Sequence, residues 1–279
     1  MKRFRKVYLE ISNLCNLRCR FCPGTGRKAE AMDRERFEHL LEKLVGWTDH
    51  LYFHLMGEPL CHPLLGEFLD LAGQRGFKVI LTTNGTLLPA RQELLLAAPA
   101  LHKVNISLHA FEANDLPATF EDYLSGCVDF GRAAAGSKLV VYRLWNEGGE
   151  DRLNERVLEV FRGAFPGEWK PQRRGVKLAG GVFLEHGEKF DWPDLSAREG
   201  SEDVFCYGLR DQIGVLCDGT VVPCCLDHEG DVVLGNLLEQ TMGEIMAAPR
   251  TRAICAGFAQ GKAVEALCRR CGFAKQKFG

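Results

Sequence analysis

The chain has 279 residues, 46% of them hydrophobic and 26% charged, with a formal net charge of −2. This ordinary globular composition suffices for one large α/β domain plus a small appendage, and the near-zero charge does not imply nucleic acid as a partner. No stretch approaches the roughly 20 apolar residues of a membrane span, and no signal peptide precedes the first charged, alternating segment. The expected location is therefore cytoplasmic, with the twelve cysteines reduced or metal-bound.

From residue 5 to about 185, short apolar runs alternate with amphipathic stretches. Strands are expected at 6–11, 50–55, 77–82, 102–108, 138–144 and 176–184. Helices are expected at 33–46 with Asp33 as N-cap, 63–75 ended by Gly76, 89–98 with Pro89 in its first turn, 119–135 and 151–164. Six βα-type units predict a parallel sheet curved into a partial (β/α)6 TIM-like barrel over residues 1–195. A small Cys-rich appendage of β-hairpin and helix occupies 196–279. In such folds chemistry gathers on loops at the C-terminal ends of the strands.

The loop after strand one holds Cys15, Cys19 and Cys22 in a CxxxCxxC spacing. Three thiolates can hold three corners of a cubane cluster, whereas a closed zinc site or a fully ligated cluster takes four protein ligands. The fourth iron is then open to a ligand that is not protein, although zinc remains an alternative for this motif alone. Strand two runs into Met56-Gly57-Glu58-Pro59, where glycine permits close backbone approach and the carboxylate can accept from an ammonium group. Strand three ends in Thr82-Thr83-Asn84-Gly85, a turn by composition. Strand four ends with Ser107 and His109 on one face, and strand five with Arg143 and Trp145 on one face. An arginine aimed into a barrel mouth suits a carboxylate of cofactor or substrate. The polar and aromatic loop from Glu185 to Trp192 is a candidate substrate surface.

These segments, in barrel order, resemble the radical S-adenosylmethionine (SAM) enzymes, whose cysteine motif carries an aromatic residue, here Phe21, before its last cysteine. The resemblance implies a [4Fe–4S] cluster on Cys15, Cys19 and Cys22, with its fourth iron chelated by SAM. Gly57 and Glu58 match the GGE-type motif that binds the SAM amino group, with Met56 in place of its first glycine. Asn84 matches the TNG segment lining the pocket, Ser107 and His109 fall where the family contacts ribose and carboxylate, and Arg143 serves SAM or substrate. Reductive cleavage of SAM then gives a 5′-deoxyadenosyl radical. Arg143 and Glu185 are the substrate-side candidates.

Seven cysteines follow residue 200: Cys206, Cys217, Cys224, Cys225, Cys255, Cys268 and Cys271. Asp218-Gly219 signals a hairpin that closes at Cys224, and Cys268 and Cys271 form a CxxC. Four thiolates from these segments can enclose one cluster or one zinc. The segment resembles the SPASM domain, with Gly219 and Cys224 matching its Gly-x4-Cys, but the further CxxCx5Cx3C run is missing. The shortened twitch version implies one auxiliary [4Fe–4S] cluster on Cys206, Cys224, Cys268 and Cys271. Cys61, Cys127, Cys217, Cys225 and Cys255 are expected to be non-ligands. Gly235-Asn236 is expected to cap a short helix running to Ala247.

The expected function is hydrogen abstraction from a small polar substrate, a sugar, cyclitol or nucleotide, giving dehydrogenation or lyase chemistry. A flavodoxin or ferredoxin is the expected reductant. With the first strand expected within the first ten residues, no leader-binding domain is expected ahead of it, which favours a small molecule. Alternatives are a queuosine 5′-phosphate lyase, a peptide- or protein-modifying maturase, a zinc-stabilised binding module and a two-cluster electron carrier.

Overall fold

The computed structural model describes residues 3–278. In chain order the first half comprises β1 (Lys6–Leu9), α1 (Arg34–Leu44), β2 (His50–Tyr52), α2 (Leu65–Gln74), β3 (Lys78–Thr83), α3 (Leu88–Ala97) and β4 (Leu101–Ser107). There follow α4 (Phe120–Ala134), β5 (Leu139–Glu147), α5 (Asn154–Ala164), β6 (Lys170–Gln172), β7 (Gly175–Ala179) and β8 (Val182–Glu188). Strands β1, β2, β3, β4, β5 and β8 lie side by side and parallel, as a partial barrel requires.

Alternating burial along these strands explains how they sit. Val7, Leu9, Leu51, Val79, Leu81, Val104, Ile106, Val140, Tyr142, Val182 and Leu184 point outward into one apolar core beneath the helices. Their neighbours Lys6, Tyr52, Lys103, Ser107, Arg143 and Glu185 keep partial solvent access on the concave face. Parallel strands are usually apolar on both faces, so a polar concave face marks this one as a working surface.

The helices follow local chemistry. Asp33 caps α1 by accepting from the Arg36 N–H at 2.8 Å, and Thr119 caps α4 by accepting from the Asp122 N–H at 3.1 Å. Phe37 of α1 stacks on Phe68 of α2 at 3.9 Å, locking the first two helices together. Gly131 of α4 faces Tyr142 of β5 so closely that a β-carbon there would lie 1.9 Å from the tyrosine oxygen. Gly131→Ala should therefore displace Tyr142, break its 2.9 Å hydrogen bond to the Cys127 carbonyl, and cost about 1–3 kcal/mol. Denaturant unfolding checks this, and adding Tyr142→Phe, which removes the clashing oxygen, should return most of the penalty.

Three expectations are corrected. The strand expected at 176–184 is a hairpin: Gly181, at φ +77°, reverses the chain between β7 and β8. Strands β6 and β7 extend the sheet antiparallel beyond β8. Among the described residues no helix pairs with the sixth barrel strand, so the barrel has five βα units and a closing strand.

After the barrel come β9 (Gln212–Val215), β10 (Thr220–Val222), β11 (Gly235–Asn236), α6 (Met242–Ala247), α7 (Pro249–Ala259), α8 (Ala266–Arg269) and α9 (Gly272–Phe278). Strand β9 pairs in parallel with β1, from Lys6↔Gln212 to Leu9↔Val215, so the hairpin continues the barrel sheet. Gly235 and Asn236 form β11 rather than a helix cap; Thr241 caps α6 through a reciprocal capping box with Glu244. Among the described residues no helix is long and apolar enough to cross a membrane.

Candidate active site

The thiol loop is fixed to the end of β2 by backbone. Gly57 adopts φ +77°, and a β-carbon there would lie 2.4 Å from the Ser12 carbonyl oxygen. The next residue, Glu58, donates its N–H to the Leu14 carbonyl at 2.8 Å. No other residue type fits this approach, which places Glu58 beside the cysteines.

On the loop, Cys15 is exposed while Cys19 and Cys22 are half-buried. Cys19 Sγ accepts from Asn114 Nδ2 at 3.1 Å, and Cys15 Sγ accepts from the Leu17 N–H at 3.4 Å. Cys15 and Cys19 lie within electrostatic reach of each other, as do Cys19 and Cys22. Although the Cys15 residue as a whole is exposed, the protein packed around its sulfur pushes that thiol up to about 11, and burial raises Cys19 and Cys22. Iron therefore has to displace a proton at each sulfur. Cys61, expected to stand apart, lies within electrostatic reach of both Cys15 and Glu58.

Glu58 is 2% exposed. Its carboxylate accepts from the Asn84 N–H at 2.7 Å and the Leu60 N–H at 3.0 Å. Burial outweighs those donors and raises its pKa to about 7. The sign follows: the fold tolerates the protonated form, and ionising Glu58 between its ordinary value and about 7 weakens the fold until a donor arrives. The N–H groups of a SAM amino group would supply that donor. SAM affinity of the reconstituted protein should rise as pH passes about 7, and binding below that pH should release a proton, readable by calorimetry in buffers of different ionisation heat. Glu58→Gln should flatten the profile and weaken binding about tenfold or more.

Around this carboxylate, Asn84 Nδ2 donates to Asn16 Oδ1 at 2.9 Å and reaches Cys15 Sγ at 4.0 Å. Ser107 stands on the concave face in register with Arg143. His109 lies just beyond β4; its Nδ1 is 3.1 Å from the Arg143 carbonyl, and its ring is 4.8 Å from that of Phe21. Burial lowers His109 to about 4, which keeps it neutral. Phe21, His109, Trp145 and Lys189 line a cavity of about 100 Å³ at the mouth. Arg143 stacks its guanidinium 4.3 Å above Trp145 and has its Nε 3.9 Å from Glu185. The loop expected from Glu185 to Trp192 starts later, because Glu185–Glu188 stay in β8 paired with β5; the residues beyond form a strap, Phe190 packing on Phe273 at 5.2 Å and Trp192 on His228 at 5.5 Å.

The second cysteine set assembles from three segments. Cys224 lies within electrostatic reach of Cys206, Cys268 and Cys271, and Cys268 within reach of Cys206 and Cys271. Burial raises all four thiols, Cys206 to about 11. Among the described residues no three Cys, His, Asp or Glu side chains converge on a single-ion site. Cys225 touches Tyr8 and Lys6 on the concave face, and it too lies within electrostatic reach of Cys224, Cys206 and Cys271. Cys217 is buried, with its Sγ 3.1 Å from the Glu10 carbonyl, and Cys127 is buried against Tyr123.

Residues that sequence reasoning passed over join the two halves. Glu10 forms a two-pronged ion pair with Arg27 at 2.6 and 2.8 Å and accepts from the Met56 and Cys217 N–H groups, each at 3.1 Å. Arg27 Nε donates to the His228 carbonyl at 2.7 Å. The apolar–charged alternation Val7-Tyr8-Leu9-Glu10 was the available signal, since a carboxylate on the inner face of a barrel strand needs a partner.

Residues 9–133 match the radical SAM superfamily model, and residues 206–272 match the SPASM model, an iron–sulfur cluster-binding domain. The chain belongs to the radical SAM superfamily and carries a C-terminal SPASM region. That membership brings with it SAM, a SAM-binding [4Fe–4S] cluster and auxiliary iron–sulfur chemistry, and the two gathered thiol sets fit such groups. A 2-deoxy-scyllo-inosamine dehydrogenase of Niallia circulans is 27% identical over 88% of this chain and 82% of its own. A cofactor-modifying protein for tungsten-containing aldehyde ferredoxin oxidoreductase, from Pyrococcus furiosus, is 32% identical over 49% of this chain. The chain spans only 38% of that relative's length. Among solved structures, BtrN in complex with AdoMet and 2-DOIA aligns at TM-score 0.63 and 18% identity, covering 97% of this chain and 94% of that one. The anSMEcpe structure with AdoMet and the Kp18Cys peptide aligns at TM-score 0.63 and 16% identity over 91% and 83%. At these identities the structures establish the fold.

Proposed function

We propose that the chain is a radical SAM enzyme that takes hydrogen from a small polar substrate, with Cys15, Cys19 and Cys22 holding the SAM-binding cluster and Glu58, Asn84 and Ser107 holding SAM. The carrying observation is the buried Glu58 carboxylate, pinned by backbone contact beside a three-thiol loop at the barrel mouth. SAM bound at a reduced cluster supplies a 5′-deoxyadenosyl radical able to remove a hydrogen atom from a C–H bond. The protein's part is placement. Asn114 and the Leu17 N–H steady the sulfurs, and neutral His109 with Phe21 walls the mouth without adding charge.

After hydrogen loss, the substrate either gives up an electron and a proton, which is dehydrogenation, or fragments, which is lyase chemistry. A four-thiol site at Cys206, Cys224, Cys268 and Cys271 leaves no iron open to substrate and suits electron acceptance. The similarity to an inosamine dehydrogenase over most of the chain supports the oxidative outcome. A flavodoxin or ferredoxin is the proposed reductant. The test is anaerobic reconstitution followed by SAM and dithionite, with mass-spectrometric detection of 5′-deoxyadenosine. Its formation is expected, and iron-loaded protein that never forms it overturns the reading.

A further inference from the structure

Below the mouth, the concave face carries more positive than negative charge. Lys6 Nζ lies over the rings of Tyr8 and Tyr52, at 5.3 and 5.5 Å. Lys103 stands on the same face of β4, two and four residues before Asn105 and Ser107. Arg143 feels both lysines, and Lys103 feels Lys6. The facing carboxylate is Glu185, beside Arg143; Asp211 and Arg174 stand near Lys6 and cancel one another in sign. Burial lowers the pKa of all three cations.

The unpaired atoms point the same way. Among the described residues, four buried side-chain polar atoms lack a hydrogen-bond partner: His54 Nδ1, Asn105 Oδ1, Arg143 Nε and Thr251 Oγ1. The first three belong to the barrel strands and their ends on the concave side. The Arg143 Nε to Glu185 separation of 3.9 Å is too long for a hydrogen bond. Buried polar atoms left unpaired on one surface mark places where a ligand or ordered water completes the hydrogen bonding.

We propose that this face binds an anionic group of the substrate, a phosphate or a carboxylate, through Arg143, Lys103 and Lys6, with His54 Nδ1 as a further donor and the acceptor Asn105 Oδ1 left for a hydroxyl of the same molecule. This rests on the radical SAM reading above and narrows its substrate class: a phosphorylated or carboxylated sugar or nucleoside fits, and a substrate whose only charge is an ammonium does not. The reacting end of such a molecule would face the Phe21 and His109 cavity.

The reconstituted protein is titrated with inorganic phosphate and, separately, with acetate, using equilibrium dialysis. Saturable binding is expected, weakened by added salt and reduced about tenfold or more in Arg143→Gln and in Lys103→Gln. Preference for phosphate or for acetate identifies the source of the anion. A second measurement uses unsubstituted protein alone: the bound anion should protect Lys6 and Lys103 from amine-reactive labelling, read by mass spectrometry. Failure of both anions to bind, binding unchanged in folded variants, or no protection of either lysine overturns the proposal. 5′-Deoxyadenosine formation from SAM by the unsubstituted protein is read separately, so failure here and failure of the radical SAM reading are distinguishable.

Discussion

Replacing Cys15, Cys19 and Cys22 together by alanine should lower the iron content of reconstituted protein from about eight to about four atoms per chain and abolish 5′-deoxyadenosine formation. The reason is geometric. The three sulfurs share one loop that Gly57 anchors to the end of β2, and their removal leaves Glu58 with no cluster to work beside. Replacing Cys268 and Cys271 instead should also cost about four irons while leaving the first thiol loop loaded, because that set is built from other segments. Iron and sulfide assays with product detection on both variants form the check. Equal iron loss with surviving 5′-deoxyadenosine in the first variant would sink the assignment.

Glu10→Ala should weaken the fold by about 3–5 kcal/mol, as much as truncating a core aromatic. The carboxylate is fully buried and accepts from two Arg27 nitrogens and two backbone N–H groups. Its loss strands a largely buried guanidinium together with the Met56 and Cys217 amides. Adding Arg27→Met should return part of that loss, because the stranded charge goes with it. Anaerobic denaturant unfolding measures the cycle; a single-mutant loss under about 1 kcal/mol would show that Arg27 finds another partner or water.

Much of the barrel was legible because its outward residues repeat with strand and helix periods and its helices begin at ordinary caps. Asp33, Thr119 and Gly76 mark their boundaries within a residue or two. The hairpin at Gly180-Gly181 was not legible, because Val176, Leu178, Val182 and Leu184 keep one apolar period across the turn. The cysteines and Glu58 are local motifs and could be named in advance. The Glu10–Arg27 pair could not, since its partners come from positions 17 and 207 residues away. The cationic face was written plainly in Lys6, Lys103 and Arg143 but was spread over three strands, and only the curvature of the sheet brings them to one surface.

The β9–β1 pairing has one more consequence. The strand that leads into the first thiol loop is hydrogen-bonded to the hairpin that ends at Cys224. The gap an electron would cross between the two proposed iron sites is therefore set by strand spacing and not by the tether between Trp192 and Cys206. Lengthening that tether should alter how fast the chain folds and leave the tunnelling distance where it was.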